Sequence, residues 1–183
     1  MHVVVLTKQV PDTAQLSGSV DALKLMAGGG PRIVNPWDEY AIETAIQLKE
    51  AHGGSVTLLS VGKPEAVEAL KTGLAMGADE AVLMSDNGIA GEDTLETARV
   101  LAASIARLGE YDLILSGRSS IDGGSGATPV QLAALLDVPQ VSYVAQLSSV
   151  DLENKTFEAV RLLEGGRESV SSRLPAVISV VKE

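Results

Sequence analysis

The chain has 183 residues, of which 45% are apolar and only 3% aromatic, and it carries a formal net charge of −10. Its length sets a single domain, residues 1–183, as the expectation, and its aliphatic composition suits a parallel sheet covered on both faces. Binding nucleic acid depends on neutralising phosphates with Lys and Arg, so so acidic a chain suits neither nucleic acid nor an anionic membrane surface, and the absence of cysteine excludes disulfides, thiolate zinc sites and Cys-ligated iron–sulfur clusters.

Two histidines, His2 and His52, are too few for most metal sites, and no run reaches the roughly 18 apolar residues of a membrane helix. The chain starts directly on a strand-like run, which leaves no signal peptide, so the expectation is a cytoplasmic protein without membrane insertion. His2–Thr7 (HVVVLT) is that first buried strand. KQVPDT follows as a polar turn, and Ala14–Pro31 reads as a long loop with room for a short hairpin. Asn35–Pro36 opens a helix, with Asn35 placed to cap free N–H groups, and Gly53–Gly54 stops it. Ser55–Val61 is the second strand.

A second helix begins at Pro64, with Val67, Leu70 and Leu74 expected on its inner face and Gly77 at its end. Ala81–Met84 is a third strand and Asp86–Gly91 a loop. Glu92–Leu108 is a helix with Leu95, Ala98, Leu101, Ala102 and Ile105 inward. Asp112–Ser116 is a fourth strand, and a helix runs from about Pro129 to Leu136. Beyond Pro139 the pattern alternates: Thr156–Leu163, a Gly165–Gly166 turn and Glu168–Arg173 read as a hairpin, and Ala176–Val181 as a last apolar strand. Alternating strands and helices imply an α/β fold with a doubly wound parallel sheet, carrying an antiparallel β-hairpin appendage at about 140–175.

Ligands of open α/β sheets bind beyond the carboxyl ends of strands. The richest such segment is SGRSSIDGGSGATP at Ser116–Pro129, where glycines allow close backbone approach and hydroxyls, N–H groups and a helix N-terminus can bind phosphate. A plain Gly/Ser loop has the same composition. The segment is neither a Walker A loop nor a Gly-x-Gly-x-x-Gly fingerprint after the first strand. Asp122 either caps its own turn or contacts a ribose, a backbone N–H or a cation. Asn35–Asp38 is explained by helix capping, or by the same helix end facing a ligand. A hydrolase elbow fails because no His follows Ser125. Adjacent carboxylates such as Asp38–Glu39 do not face each other on a helix. The acidic Asp86–Asp93 loop lacks calcium-loop spacing. No catalytic and no metal residue is therefore assigned.

Five stretches together carry a family resemblance: KQVPDT at Lys8–Thr13, VNPWDEYAIETAIQLKE at Val34–Glu50, ALKTGLAMGADEAVL at Ala69–Leu83, the Ser116–Pro129 loop, and LPAVISVVKE at Leu174–Glu183. In this order the chain resembles the β-subunit of electron-transfer flavoproteins, Fix-type relatives included. The resemblance implies an adenine-nucleotide α-hydrolase-like fold and a heterodimer with an α-subunit that carries most of the redox FAD. It implies service to flavin dehydrogenases or a quinone oxidoreductase, and a β-site holding AMP or, alternatively, the adenylate half of a second FAD. Carried over by position, that site is Leu6, Asn35, Pro36, Trp37, Asp38, Val61, Gly117, Arg118, Ser119, Ser120, Ile121, Asp122, Gly123, Gly124, Ser125, Gly126, Ala127 and Thr128. Family β-subunits continue past the VVKE end, so the C-terminal arm that wraps the α-subunit is expected to lie outside this sequence. The alternative is a stand-alone nucleotide sensor of the universal-stress-protein type, whose third glycine would fall on Leu136 here. An adenylating enzyme would need a Ser-Gly-Gly-x-Asp-Ser loop where this chain has TKQVPD.

Overall fold

A computed structural model of the chain describes residues 1–15, 30–86 and 93–182. Among the described residues ten strands and four α-helices follow one another. They are β1 (His2–Leu6), β2 (Gln9–Pro11), β3 (Arg32–Val34), α1 (Pro36–His52), β4 (Ser55–Val61), α2 (Val67–Met76), β5 (Glu80–Met84), α3 (Thr94–Leu108), β6 (Leu113–Gly117), α4 (Ala127–Leu136), β7 (Gln140–Asp151), β8 (Thr156–Leu163), β9 (Gly166–Arg173) and β10 (Ala176–Val180). The main sheet has the order β5-β4-β1-β6-β10-β7-β8-β9. It is parallel from β5 through β7, and β8 and β9 continue it antiparallel. The hairpin is thus an extension of the same sheet.

The parallel strands read as unbroken apolar runs because both faces are covered. On one face α1 and α2 pack Ile42, Ala45, Ala69 and Leu70 against Val3, Val5 and Leu58. Phe157, Ala159 and Val144 from the antiparallel part join that cluster. On the other face α3 and α4 pack Ala98, Leu101, Ile105 and Leu132 over Val4, Leu59, Ile114 and Val177. The chain moves outward from β1 to β4 and β5, then crosses back to β6 on the other side of β1. The strand order therefore reverses between β1 and β6, where such sheets leave a crevice at their carboxyl ends.

Three expectations change. Gln9–Pro11, expected as a turn, is a short strand paired antiparallel with Arg32–Val34. The inner face of α2 is Ala69, Leu70 and Gly73, following buried Ala66, while Val67 and Leu74 are exposed. The helix comes so close to the sheet that a Cβ on Gly73 would lie 2.4 Å from Leu58 Cδ1, so small residues sit beside Leu70 on that face while Val67 and Leu74 turn outward. Leu95 is likewise exposed, and α3 starts at Thr94 with Asp93 as its cap, the Asp93 carboxylate accepting the Glu96 N–H at 2.8 Å. Much of the expected loops Ala14–Pro31 and Asp86–Gly91 lies outside the described residues. No helix among the described residues is long and apolar enough to cross a membrane.

Candidate functional site

A cavity of about 270 Å³ opens at the reversal of strand order, beyond the ends of β1, β4 and β6. Its apolar part is Leu6, Leu59 and Val61 from the sheet and Leu101 from α3. Its polar part comes from the β1–β2 turn, the start of α1, Thr94 and Thr97 of α3 and the loop between β6 and α4.

Asp38 ties those polar pieces together. It sits in the first turn of α1, 6% exposed. Its Oδ2 accepts the Lys8 N–H at 2.8 Å, and its Oδ1 accepts the Asn35 side-chain amide at 2.9 Å and the Gly117 N–H at 3.2 Å. Burial pushes this carboxyl up to about 7 against the downward pull of those three donors. The contact with β6 requires Gly117, because a Cβ there would fall 2.6 Å from both Asp38 Oδ1 and the Trp37 backbone. Asn35 stands at the cap position, yet its side chain makes no capping bond. Its amide donates to Asp38 and to the Ser119 carbonyl at 2.9 Å, and its Oδ1 accepts the Ile121 N–H at 3.2 Å. The residue expected to cap α1 instead pins the glycine-rich loop onto it.

The loop then folds on itself. The Gly124 N–H donates to the Ser120 carbonyl at 2.8 Å and the Gly123 N–H to Ser120 Oγ at 3.2 Å. Gly126 holds φ at 61°, and a Cβ there would meet the Arg118 carbonyl at 2.7 Å. It precedes α4 without any side-chain cap; the Ala127 N–H reaches Ser125 Oγ at 3.4 Å. The first turn of α4 therefore presents its positive end beside the cavity. The Lys8 ammonium meets Asp122 Oδ1 at 2.8 Å, linking the β1–β2 turn to the loop. Burial pushes the Asp122 carboxyl up, but bonds from Lys8, Ser120 and the Gly123 N–H outweigh it and hold the group below its ordinary value.

Of the expected site residues, Leu6, Asn35, Asp38 and Val61 line the cavity. So do Gly117, Ser119, Ser120, Gly123, Ser125, Gly126 and Thr128 of the loop. Pro36, Trp37, Arg118, Ile121, Asp122, Gly124 and Ala127 do not line it. Arg118, expected to add charge to the site, lies over the Trp37 ring with its guanidinium carbon 4.0 Å from the centroid. The cation among the lining residues is Lys8. Ser116 and Pro129, the two ends of the segment read as phosphate-suited, also line the cavity, and sequence reasoning missed Thr7, Lys8, Leu59, Thr94, Thr97 and Leu101 as lining residues. A signal existed for the α3 pair: Thr94 and Thr97 continue, at helical spacing, the stripe that buries Leu101. For Lys8 the signal was its place just past the end of β1.

Comparison with known proteins places this geometry in context. The electron transfer flavoprotein domain matches residues 23–183. Protein FixA of Bradyrhizobium diazoefficiens is 42% identical over 186 residues, covering 100% of this chain and 65% of the relative. Protein FixA of Sinorhizobium fredii is 39% identical over the same length and coverage. The electron transfer flavoprotein subunit beta of Clostridium acetobutylicum is 41% identical over 185 residues, covering 100% of this chain and 69% of the relative. The chain thus spans slightly less than two thirds of the length of these FixA relatives.

Proposed function

This chain belongs to the electron transfer flavoprotein family, and we propose that it serves as the β-subunit of a two-subunit electron carrier, holding an adenine nucleotide in the cavity at the β1–β6 reversal. The observation that carries the reading is the joining of Asn35–Asp38 and the glycine-rich loop into one wall, through Asp38 and Asn35, around an apolar slot. The nucleotide is AMP, with the adenylate half of an FAD as the alternative.

The residues suit such a ligand. Leu6, Leu59, Val61 and Leu101 supply a dry surface for a flat ring, while Gly123, Ser125, Gly126 and Thr128 bring small side chains and backbone to the start of α4 for a phosphate. A flavin, when bound by the two-subunit carrier, supplies the electron-accepting ring. The β-chain's own part is to bind and orient: its cavity offers no cysteine or histidine, and no residue in it is given a catalytic role. The partners proposed are a flavin-bearing α-subunit and, through it, flavin dehydrogenases or a quinone oxidoreductase. No feature of the site favours the stand-alone sensor.

The test is to purify the protein under native conditions, denature it and identify any released nucleotide by mass spectrometry. Release of AMP supports the simple carrier, and release of FAD the two-flavin form. A preparation that releases no adenine nucleotide and takes up none on titration overturns the reading.

A further inference from the structure

Three buried side-chain atoms among the described residues have no hydrogen-bond partner: Ser60 Oγ, Ser116 Oγ and Gln131 Oε1. A hydroxyl left without a partner in a protein interior costs free energy, and functional sites are a common reason to carry that cost. Of the three residues, Ser116 alone lines the cavity. It is 4% exposed and occupies the penultimate position of β6.

Strand alternation sets its direction. Ile114, two residues earlier, packs with Leu6, Leu59 and Leu101 beneath α3 and α4. Ser116 therefore falls on the same face, one step nearer the carboxyl end, where that cluster gives way to the cavity. The β1–β6 register sets Leu6 beside it, and Leu59 and Leu101 share the cavity lining with it. Its β10 partner in register is Ser179, whose hydroxyl already accepts the Tyr143 N–H at 3.2 Å. The phosphate-suited groups of the lining belong to a different segment, the loop and helix start at Gly123, Ser125, Gly126 and Thr128.

We propose that Ser116 is a specificity-determining residue of the site, its hydroxyl forming a hydrogen bond with the heteroaromatic base of the bound nucleotide. This rests on the nucleotide reading above. A hydroxyl both donates and accepts, so it can pair with a ring nitrogen or an exocyclic amine of adenine. The apolar walls seat the ring, and this one polar atom rewards a ring that presents a matching group.

Ser60 provides the control. It is buried and unpartnered too, but it does not line the cavity. The experiment measures the affinity of wild type, Ser116→Ala and Ser60→Ala for AMP by calorimetry, and for phosphate-free adenosine by competition, together with the melting temperature of each ligand-free protein. Ser116→Ala is expected to weaken AMP and adenosine by a similar factor, about tenfold, with no fall in melting temperature. Ser60→Ala is expected to leave both affinities unchanged. Equal AMP binding by Ser116→Ala, a loss seen with AMP but not adenosine, or a lower melting temperature of the ligand-free variant overturns the assignment of Ser116 alone. Absence of AMP, adenosine and FAD binding by the wild type overturns the nucleotide reading, and the Ser116 assignment with it.

Discussion

Asp38 has a folded-state pKa of about 7, against an ordinary value of 3.8, because desolvation outweighs the N–H groups of Lys8 and Gly117 and the Asn35 amide. Between those two values the folded state holds a proton that the unfolded chain has released. Its contribution to stability is therefore fully present below about pH 4 and is lost as pH rises through about 7. Asp79, Asp112 and Asp122 shift the other way, so their contributions are complete above the ordinary carboxylate range and add no slope near neutrality. Denaturant unfolding at a series of pH values from 5 to 8 should show stability falling as pH rises, with a slope of at most about 1.4 kcal/mol per pH unit. Asp38→Asn should flatten that slope; a slope unchanged by the substitution would assign it to another group. None of this was visible in the letters. Asn-Pro-Trp-Asp reads as a helix start, and so it is, but the same residues bond across to a loop some eighty positions away. A cap preference is a local quantity, and the cross-chain bonds that override it exist only after β6 has been placed beside β1.

At the level of elements, local signals located nearly every helix and strand, and the errors fall where tertiary approach decides. The ends of α1 were legible because Asn35–Pro36 and Gly53 act within one turn. The inward face of α2 was legible only at Leu70. Val67, Leu70 and Leu74 look like an apolar stripe, yet Val67 and Leu74 are exposed, and Leu70 shares the buried face with the small residues Ala69 and Gly73. Close approach to Leu58 selects small side chains, which hydrophobic periodicity scores as weak. Two substitutions separate these readings by thermal or chemical denaturation. Gly73→Val should destabilise by about 1–3 kcal/mol through overpacking against Leu58. Leu74→Lys, at an exposed position, should change stability by less than about 0.5 kcal/mol. The glycine-rich loop was legible as an anion-suited segment, and seven residues of Gly117–Thr128 line the cavity. The α3 wall was legible only as a helical stripe, Thr94 and Thr97 running on from Leu101, because polar residues at core spacing acquire a meaning once that helix is laid beside the cavity.

Across the whole molecule, the antiparallel strands share their core with the parallel ones. Phe157 of β8 is 1% exposed and packs in the same cluster as Val3, Ile42 and Leu58. Phe157→Ala should lower the stability of the entire protein by about 3–5 kcal/mol in a single cooperative transition. An independent early transition for the hairpin, with the main one unmoved, would make it a separate unit. The pairing order carries a different consequence. β6 and β7 do not pair with each other; β10 lies between them and joins the two halves of the sheet. A ribosome delivers β1 through β9 first, so the nascent chain holds two unfinished half-sheets, each with an open edge. The β6 edge, Leu113–Gly117, is apolar over Leu113–Leu115 and buried throughout in the finished protein. Until Ala176–Val180 emerges and fills the gap, that edge is the segment most open to pairing with another chain, and the interval before its arrival is when a newborn molecule has most need of a chaperone.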